Sequence, residues 1–180
     1  MELPEVSVPK AGYVETATGN KVSRDSTLCG TQNIIISGRS ILMPGCVIRG
    51  DLAGIRMGRY CIVKSGSILR PPHKKFPKGV AFVPMTMGDH VVVEEDSVVT
   101  AAVIGSYVHI GRGAIIGQRC VLKDACCILP GAVVAQDTVV APFSVLGGNP
   151  ATLVGHLPPV TQELATDAAH QLYHNFKLTS

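Results

Sequence analysis

Tryptophan is absent from this 180-residue chain, and phenylalanine and tyrosine number only four each. Since 46% of the residues are hydrophobic all the same, the interior must be slender and built from aliphatic side chains rather than rings. An excess of one charge is also missing. A net charge of +3 is too small to argue for a nucleic-acid partner. No run approaches the roughly 20 apolar residues that span a bilayer, and the first residues lack the basic start and apolar stretch of a secretory leader. Neither membrane insertion nor secretion is expected, and the chain reads as cytoplasmic. Six cysteines are present, Cys29, Cys46, Cys61, Cys120, Cys126 and Cys127, but no CxxC pair, which argues against a cysteine metal site. They read as reduced thiols packed as small hydrophobes.

What the chain does have is a period of six. Ile104, Ile110, Ile116, Leu122, Ile128, Val134, Val140 and Leu146 follow one another, seven intervals of six residues without a break. Four residues after each comes a second set of small or modest residues: Val108, Ala114, Cys120, Cys126, Ala132, Thr138, Ser144 and Pro150. A strand alternates every two residues and a helix returns every 3.6, so neither a hairpin nor an ordinary helix repeats in this way. A sandwich would show turn signals at wider, less regular spacing. Three hexads per coil of a parallel β-helix satisfy the period, one bulky and one small residue per hexad pointing inward. Gly105, Gly111, Gly117 and Gly147 directly follow an inward aliphatic, where crowding favours a missing Cβ. The fold class is therefore an all-β solenoid. Hexapeptide solenoids coil left-handed, and that hand is taken from the repeat class, against the usual right-handed crossover.

The first half carries the same period with interruptions. The expected inward residues are Ile35, Ile41 and Val47, then, after a rephasing near Asp51, Met57, Val63 and Leu69. A loop protrudes over 70–85, and the register resumes at Met87, Val93 and Val99. The solenoid is assigned to 21–156, preceded by an N-terminal segment over 1–20 without clear register and followed by a C-terminal α-helix within 157–180. In that helix Val160, Leu164, Ala168, Leu172 and Phe176 recur every four residues, with Ala165, Ala169 and Tyr173 beside them and Thr161 as the N-cap. The stripe is expected to cover either the solenoid wall or its open last coil.

Hexapeptide solenoids include acyltransferases and γ-class carbonic anhydrases. The chain resembles the latter through Val47-Ile48-Arg49-Gly50-Asp51-Leu52-Ala53 and Ile55-Arg56-Met57-Gly58. Active members of that class hold zinc with three histidines and one open position. By this resemblance the three ligand positions fall on Arg70, Glu95 and Thr100, which make a poor zinc site, so neither a metal nor a cofactor is expected. Arg49 and Asp51 are read as a structural pair pinning the rephased turn. An acyltransferase would need a histidine base. Yet His109 points outward, His73 lies in the loop, His90 in a turn, and His156, His170 and His174 in the tail, each read as a surface residue without a partner. Glu94, Glu95 and Asp96 form an acidic step that solvent or a basic partner would relieve.

More selective strings occur between about Thr18 and Leu129. They are Thr18-Gly19-Asn20-Lys21-Val22-Ser23-Arg24, Leu28-Cys29-Gly30-Thr31-Gln32-Asn33-Ile34, Arg70-Pro71-Pro72 with Lys74-Lys75-Phe76 and Lys78-Gly79, Gly105-Ser106-Tyr107-Val108-His109, and Arg119-Cys120-Val121-Leu122-Lys123-Asp124. In these the chain resembles the dynactin subunit 5 family, departing where Ala125 stands at a cysteine position. The resemblance implies a non-enzymatic structural subunit of the dynactin pointed-end complex. Its partners would be dynactin subunit 6, the larger pointed-end subunit, the pointed-end actin-related protein and the cargo adaptors of dynein, as for early endosomes. It implies a cytoplasmic, cytoskeleton-associated protein serving transport on microtubules. Rigid solenoids suit such work because their flat faces are platforms. The expected partner-binding residues lie in the loop: Arg70, Lys74, Lys75, Phe76 and Lys78, cations beside exposed rings stiffened by prolines. The alternative is a hexapeptide enzyme, acyltransferase-like or γ-carbonic-anhydrase-like, acting as a homotrimer.

Overall fold

The computed structural model describes residues 3–180. The chain winds past three faces in turn, each a flat sheet of stacked short strands. Two faces have six strands. The third has nine, seven parallel coil strands flanked by an antiparallel strand at either end, so six complete coils are followed by the start of a seventh. Most coil strands are two residues long, and neighbours one coil apart pair directly, as Ile110 does with Ile128 and Ile116 with Val134. Identical inward positions therefore stack at strand spacing, roughly 4.8 Å.

All eight aliphatics from Ile104 to Leu146 are buried, as are Val108, Ala114, Cys120, Cys126, Ala132 and Ser144. Thr138 is half-buried and Pro150 is exposed. Pro150 leaves the pattern because the last coil stops there and the chain turns back as the strand Thr152–His156, antiparallel to Ser144–Gly147. Crowding at the glycines is real: a Cβ on Gly111 would stand 2.5 Å from the Pro130 nitrogen and 2.7 Å from the Ile128 carbonyl oxygen of the next coil. Met57, Val63, Leu69, Met87, Val93 and Val99 are likewise buried.

In the first coils the inward phase differs by one residue from the expectation. Leu42 and Ile48 enter the core, with Ile34 and Ile36 packed against it. Ile35 is 52% exposed, Val47 is half-buried, and Ile41 is buried outside the prism, among rings on its outer wall. Adjacent aliphatics at Ile34-Ile35-Ile36, Ile41-Leu42 and Val47-Ile48 leave the phase ambiguous. The small residues decide it, because Ser40 and Cys46, both buried, sit two before Leu42 and Ile48, as Ala114 does before Ile116.

The corner that leads into the nine-stranded face is built by one left-handed residue per coil: Arg39, Tyr60, His90, Tyr107, Ala125 and Phe143, with φ between 51° and 63°. Beyond the solenoid, a single α-helix among the described residues, α1 (Thr161–Asn175), runs back along that face from the last coils toward the first. It gives way to a strand, Phe176–Thr179, parallel to Val6–Pro9. The N-terminal segment also contributes Tyr13–Glu15, antiparallel to the first coil strand, Lys21–Ser23. The two ends of the chain thus close on each other.

The buried side of α1 is Ala169 and Tyr173, followed by Phe176, packed with Tyr13, Ile41, Tyr60 and Ile62. Val160 and Leu164 are 45% and 60% exposed, so the expected stripe through Leu164 and Ala168 is rotated away from the deepest contact. The receiving wall explains this: Tyr60 and Ile62 protrude from it, and close approach needs the small Ala169 there. Thr161 is the first helical residue, not the N-cap. Its hydroxyl donates to the Pro158 carbonyl at 2.6 Å and accepts nothing from the helix.

Candidate functional site

The segment expected as a loop is an antiparallel hairpin, His73–Phe76 against Gly79–Phe82, with Pro77 and Lys78 at the tip. Pro71 and Pro72 are buried at its base, where the Val83 amide donates to the Pro72 carbonyl at 2.8 Å. The hairpin is tied to the wall two coils on. The His73 amide donates to Gln118 Oε1 at 2.9 Å and Arg119 Nη1 donates to the His73 carbonyl. Arg119 in turn holds Asp137, one coil further, through two bonds of 2.8 and 2.9 Å. A groove of about 690 Å³ lies between hairpin and wall, bordered by Lys74, Lys75, Gln118, Arg119 and Asp137.

Of the expected partner-binding residues, Lys74, Lys75 and Phe76 lie together on the first hairpin strand, with Lys74 Nζ 5.8 Å from the Phe76 ring centre. Lys78 is at the tip. Arg70 is apart from them, exposed at the solenoid corner. Phe76 and Val80 are 51% and 54% exposed. Among the described residues, no carboxylate forms an ion pair with any of these four cations.

The three positions aligned with zinc ligands do not share a corner. Leu69 pairs with Val99, so Arg70 and Thr100 stack on successive coils, whereas Glu95 lies in the preceding turn of its coil. Thr100 is buried and donates its hydroxyl to the Ile116 carbonyl at 2.7 Å. No set of three His, Cys, Asp or Glu side chains among the described residues is placed to hold an ion. Arg49 and Asp51 meet through two bonds of 2.9 Å across their own turn, and the guanidinium holds the Asp51 carboxyl below its ordinary range.

Three histidines read as lone surface residues, His90, His109 and His170, have partners after all. His90 is stacked between Tyr60 and Tyr107, ring centres 5.5 and 5.4 Å away and nearly parallel. From α1, His170 stacks on Tyr60 at 4.0 Å and brings its Nε2 within 3.2 Å of His90 Nε2. Tyr60 also accepts a 2.7 Å bond from Arg39, and Tyr173 meets its ring edge-on. Burial, and then the neighbouring His170, depress the His90 pKa, with Asp89 opposing. The signal for this ladder was available: Tyr60, His90 and Tyr107 occupy the same corner position on successive coils.

The histidine clasp makes helix docking acid-sensitive. An unfolded chain protonates His90 near its usual 6.5 and the folded one only at lower pH, so the clasp's contribution is complete above 6.5 and is lost as pH falls through the depressed value. His109 has the opposite sign. Cys127, then Glu94, raise it to about 9, so its contribution fades only as pH rises toward that value. Glu94, held down to about 2 chiefly by His109, loses its contribution only below its usual carboxylate range. Melting temperature is therefore expected to fall between pH 7 and about 5, and His170→Gln to flatten that fall; an unchanged slope would contradict the clasp.

His109, on the outer side of the nine-stranded face, donates its Nε2–H to the Glu94 carboxylate at 3.0 Å, and Glu94 is paired with Lys64 at 2.8 Å. The acidic step is thus not free: its first carboxylate is already taken. The outward neighbour of His109 on the next coil is Cys127.

The fold is widely shared. A hexapeptide transferase family protein from Anaplasma phagocytophilum superposes with a TM-score of 0.65 at 16% identity, over 88% of this chain and 92% of that one. A mutant of the N-acyltransferase AntD from Bacillus cereus does so with a TM-score of 0.68 at 13% identity, over 84% and 87%. At such identities the likeness shows the left-handed parallel β-helix alone. The sequence is more specific. The family described as Dynactin subunit 5 matches residues 1–180. This chain belongs to the dynactin subunit 5 family. A dynactin subunit 5 from Dictyostelium discoideum is 43% identical over 106 residues, 59% of this chain and 54% of that protein. A mitochondrial γ carbonic anhydrase 2 from Arabidopsis thaliana is 26% identical over 113 residues, 63% and 40%. The chain thus spans about half the length of the curated relatives it matches. Membership of the dynactin subunit 5 family covers the hairpin, the wall and α1 alike, and among the described residues no helix is long and apolar enough to cross a membrane.

Proposed function

We propose that the chain is a non-enzymatic structural subunit of the dynactin pointed-end complex. In this reading it pairs with dynactin subunit 6, adjoins the larger pointed-end subunit and the pointed-end actin-related protein, and offers a surface to the cargo adaptors of dynein, including those of early endosomes moving on microtubules. It works in the cytoplasm, associated with the cytoskeleton, and needs neither metal nor cofactor.

The observation that carries this reading is the hairpin. Among the described residues Lys74, Lys75 and Lys78 have no carboxylate partner, and they stand beside an exposed Phe76, which is the composition of a surface complementary to an acidic, partly apolar segment. Buried prolines at the base and the Gln118 and Arg119 contacts hold it in place, so little ordering is lost on binding. Reversing Lys74 and Lys75 to glutamate is expected to weaken capture of adaptor or neighbouring subunits by about ten-fold or more. The melting temperature should not move, since both side chains are exposed. Unaltered binding by the reversed protein overturns the assignment of this surface.

A further inference from the structure

The outer side of the nine-stranded face carries a line of side chains that neither the solenoid core nor the hairpin uses. His109 and Cys127 are register partners on adjacent coils, and Cys127 Sγ lies 4.0 Å from His109 Nδ1. The other ring nitrogen, Nε2, is 3.0 Å from Glu94 Oε1, and Glu94 Oε2 is 2.8 Å from Lys64 Nζ. A thiol, an imidazole and a carboxylate thus stand in the order nucleophile, base and orienting acid, with a lysine fixing the acid.

The line opens onto a cavity of about 260 Å³ between the face and the first half of α1. Its walls include Val92, Tyr107, Leu157, Leu164 and Ala168 besides Cys127. His90 also borders it, and the Nδ1 of that ring is buried without a hydrogen-bond partner. An apolar cavity of roughly 150 Å³ already admits benzene, so this one has room for a short alkyl chain.

The remaining cysteines set the contrast. Cys46, Cys61, Cys120 and Cys126 are buried, and burial pushes their thiols up, Cys61 and Cys126 to about 12, which makes them inert. Only Cys29 and Cys127 are partly exposed, and Cys127 has a histidine beside it.

We infer that Cys127 is a nucleophilic thiol, served by His109 and Glu94, and that its site takes a small electrophile with an apolar tail, an α,β-unsaturated ketone. In the step, the thiol proton rests on His109 Nδ1, whose imidazolium is favoured by Cys127 and Glu94, the sulfur forms a bond to the β-carbon of the enone, and the π pair moves onto the carbonyl as an enolate. The imidazolium then returns the proton to the α-carbon. The product is a thioether; nothing is oxidised, nothing leaves and no co-reactant is needed. Glu94 is the positioning residue, holding the ring so that Nδ1 faces sulfur.

The test is to expose the full chain at neutral pH to 1-octen-3-one or to methyl vinyl ketone and to follow adducts by intact mass and peptide mapping. Cys127 is expected to react about ten-fold or more faster than Cys29 in the same molecule, with a larger preference for the octenone. Cys127→Ser should remove the fast adduct. Glu94→Gln should slow Cys127 but leave the Cys29 rate in place. Equal rates at the two cysteines, or a Cys127 rate indifferent both to tail length and to Glu94→Gln, overturn the inference.

Discussion

Lys21→Met is expected to cost about 3 kcal/mol of stability and to release the C-terminal segment from the wall. Lys21 is 8% exposed in the first coil strand. Its ammonium donates to the carbonyls of Tyr173 and Phe176 and lies 4.0 Å from the Tyr173 ring centre. The Tyr173 carbonyl, which also accepts the Phe176 amide, and the Phe176 carbonyl lie at the C-terminal end of α1, where a cation is also favoured by the helix dipole. Burial lowers the Lys21 pKa, with Glu15 opposing, yet two acceptors and a π face hold the charged form in place. Methionine keeps the length and apolar volume but takes the charged donor from both carbonyls, a loss of about 1.5 to 3 kcal/mol for bonds made by a charged group. Because Phe176–Thr179 also pairs with Val6–Pro9, both ends of the chain loosen together. Chemical denaturation reads the loss, and limited proteolysis should gain cleavage sites after residue 157; a change below about 0.5 kcal/mol, the ordinary surface value, contradicts this role.

Leu122→Ala is expected to cost about 4 kcal/mol, near the upper part of the range for buried leucine. Leu122 is fully buried and paired above and below with Ile104 and Val140. The coils on both sides are fixed by backbone hydrogen bonds, so the prism cannot close on the cavity. For a chain of this length such a loss corresponds to a fall of about 10 °C in melting temperature. Val139→Ala, one residue before Val140 but 62% exposed, should stay within about 0.5 kcal/mol. If the two variants melt alike, the hexad does not set the core.

The solenoid was legible because its period is strict. One bulky and one small position recur every six residues, and no other regular structure tolerates that from Ile110 to Leu146. Legibility dropped where two or three aliphatics adjoin, at Ile34 to Ile36, Ile41-Leu42 and Val47-Ile48, since hydrophobicity alone cannot choose between neighbours; residue size could, through Ser40 and Cys46. The helix was evident but its docking side was not, for that depends on Tyr60 and Ile62 of a wall distant in sequence. The cationic hairpin strand was visible as Lys74-Lys75-Phe76, whereas its anchoring by Gln118 and Arg119 needed the coil count. His109 and Cys127, 18 residues apart, hold the same position on adjacent coils; treating each histidine singly hid that relation.

The most direct test of the pointed-end role is the mass in solution by light scattering, for the chain alone and after co-expression with dynactin subunit 6. A monomer alone that becomes a one-to-one complex with subunit 6 is the expected result. A stable homotrimer that ignores subunit 6 contradicts it, and would return the threefold assembly in which hexapeptide enzymes build their sites.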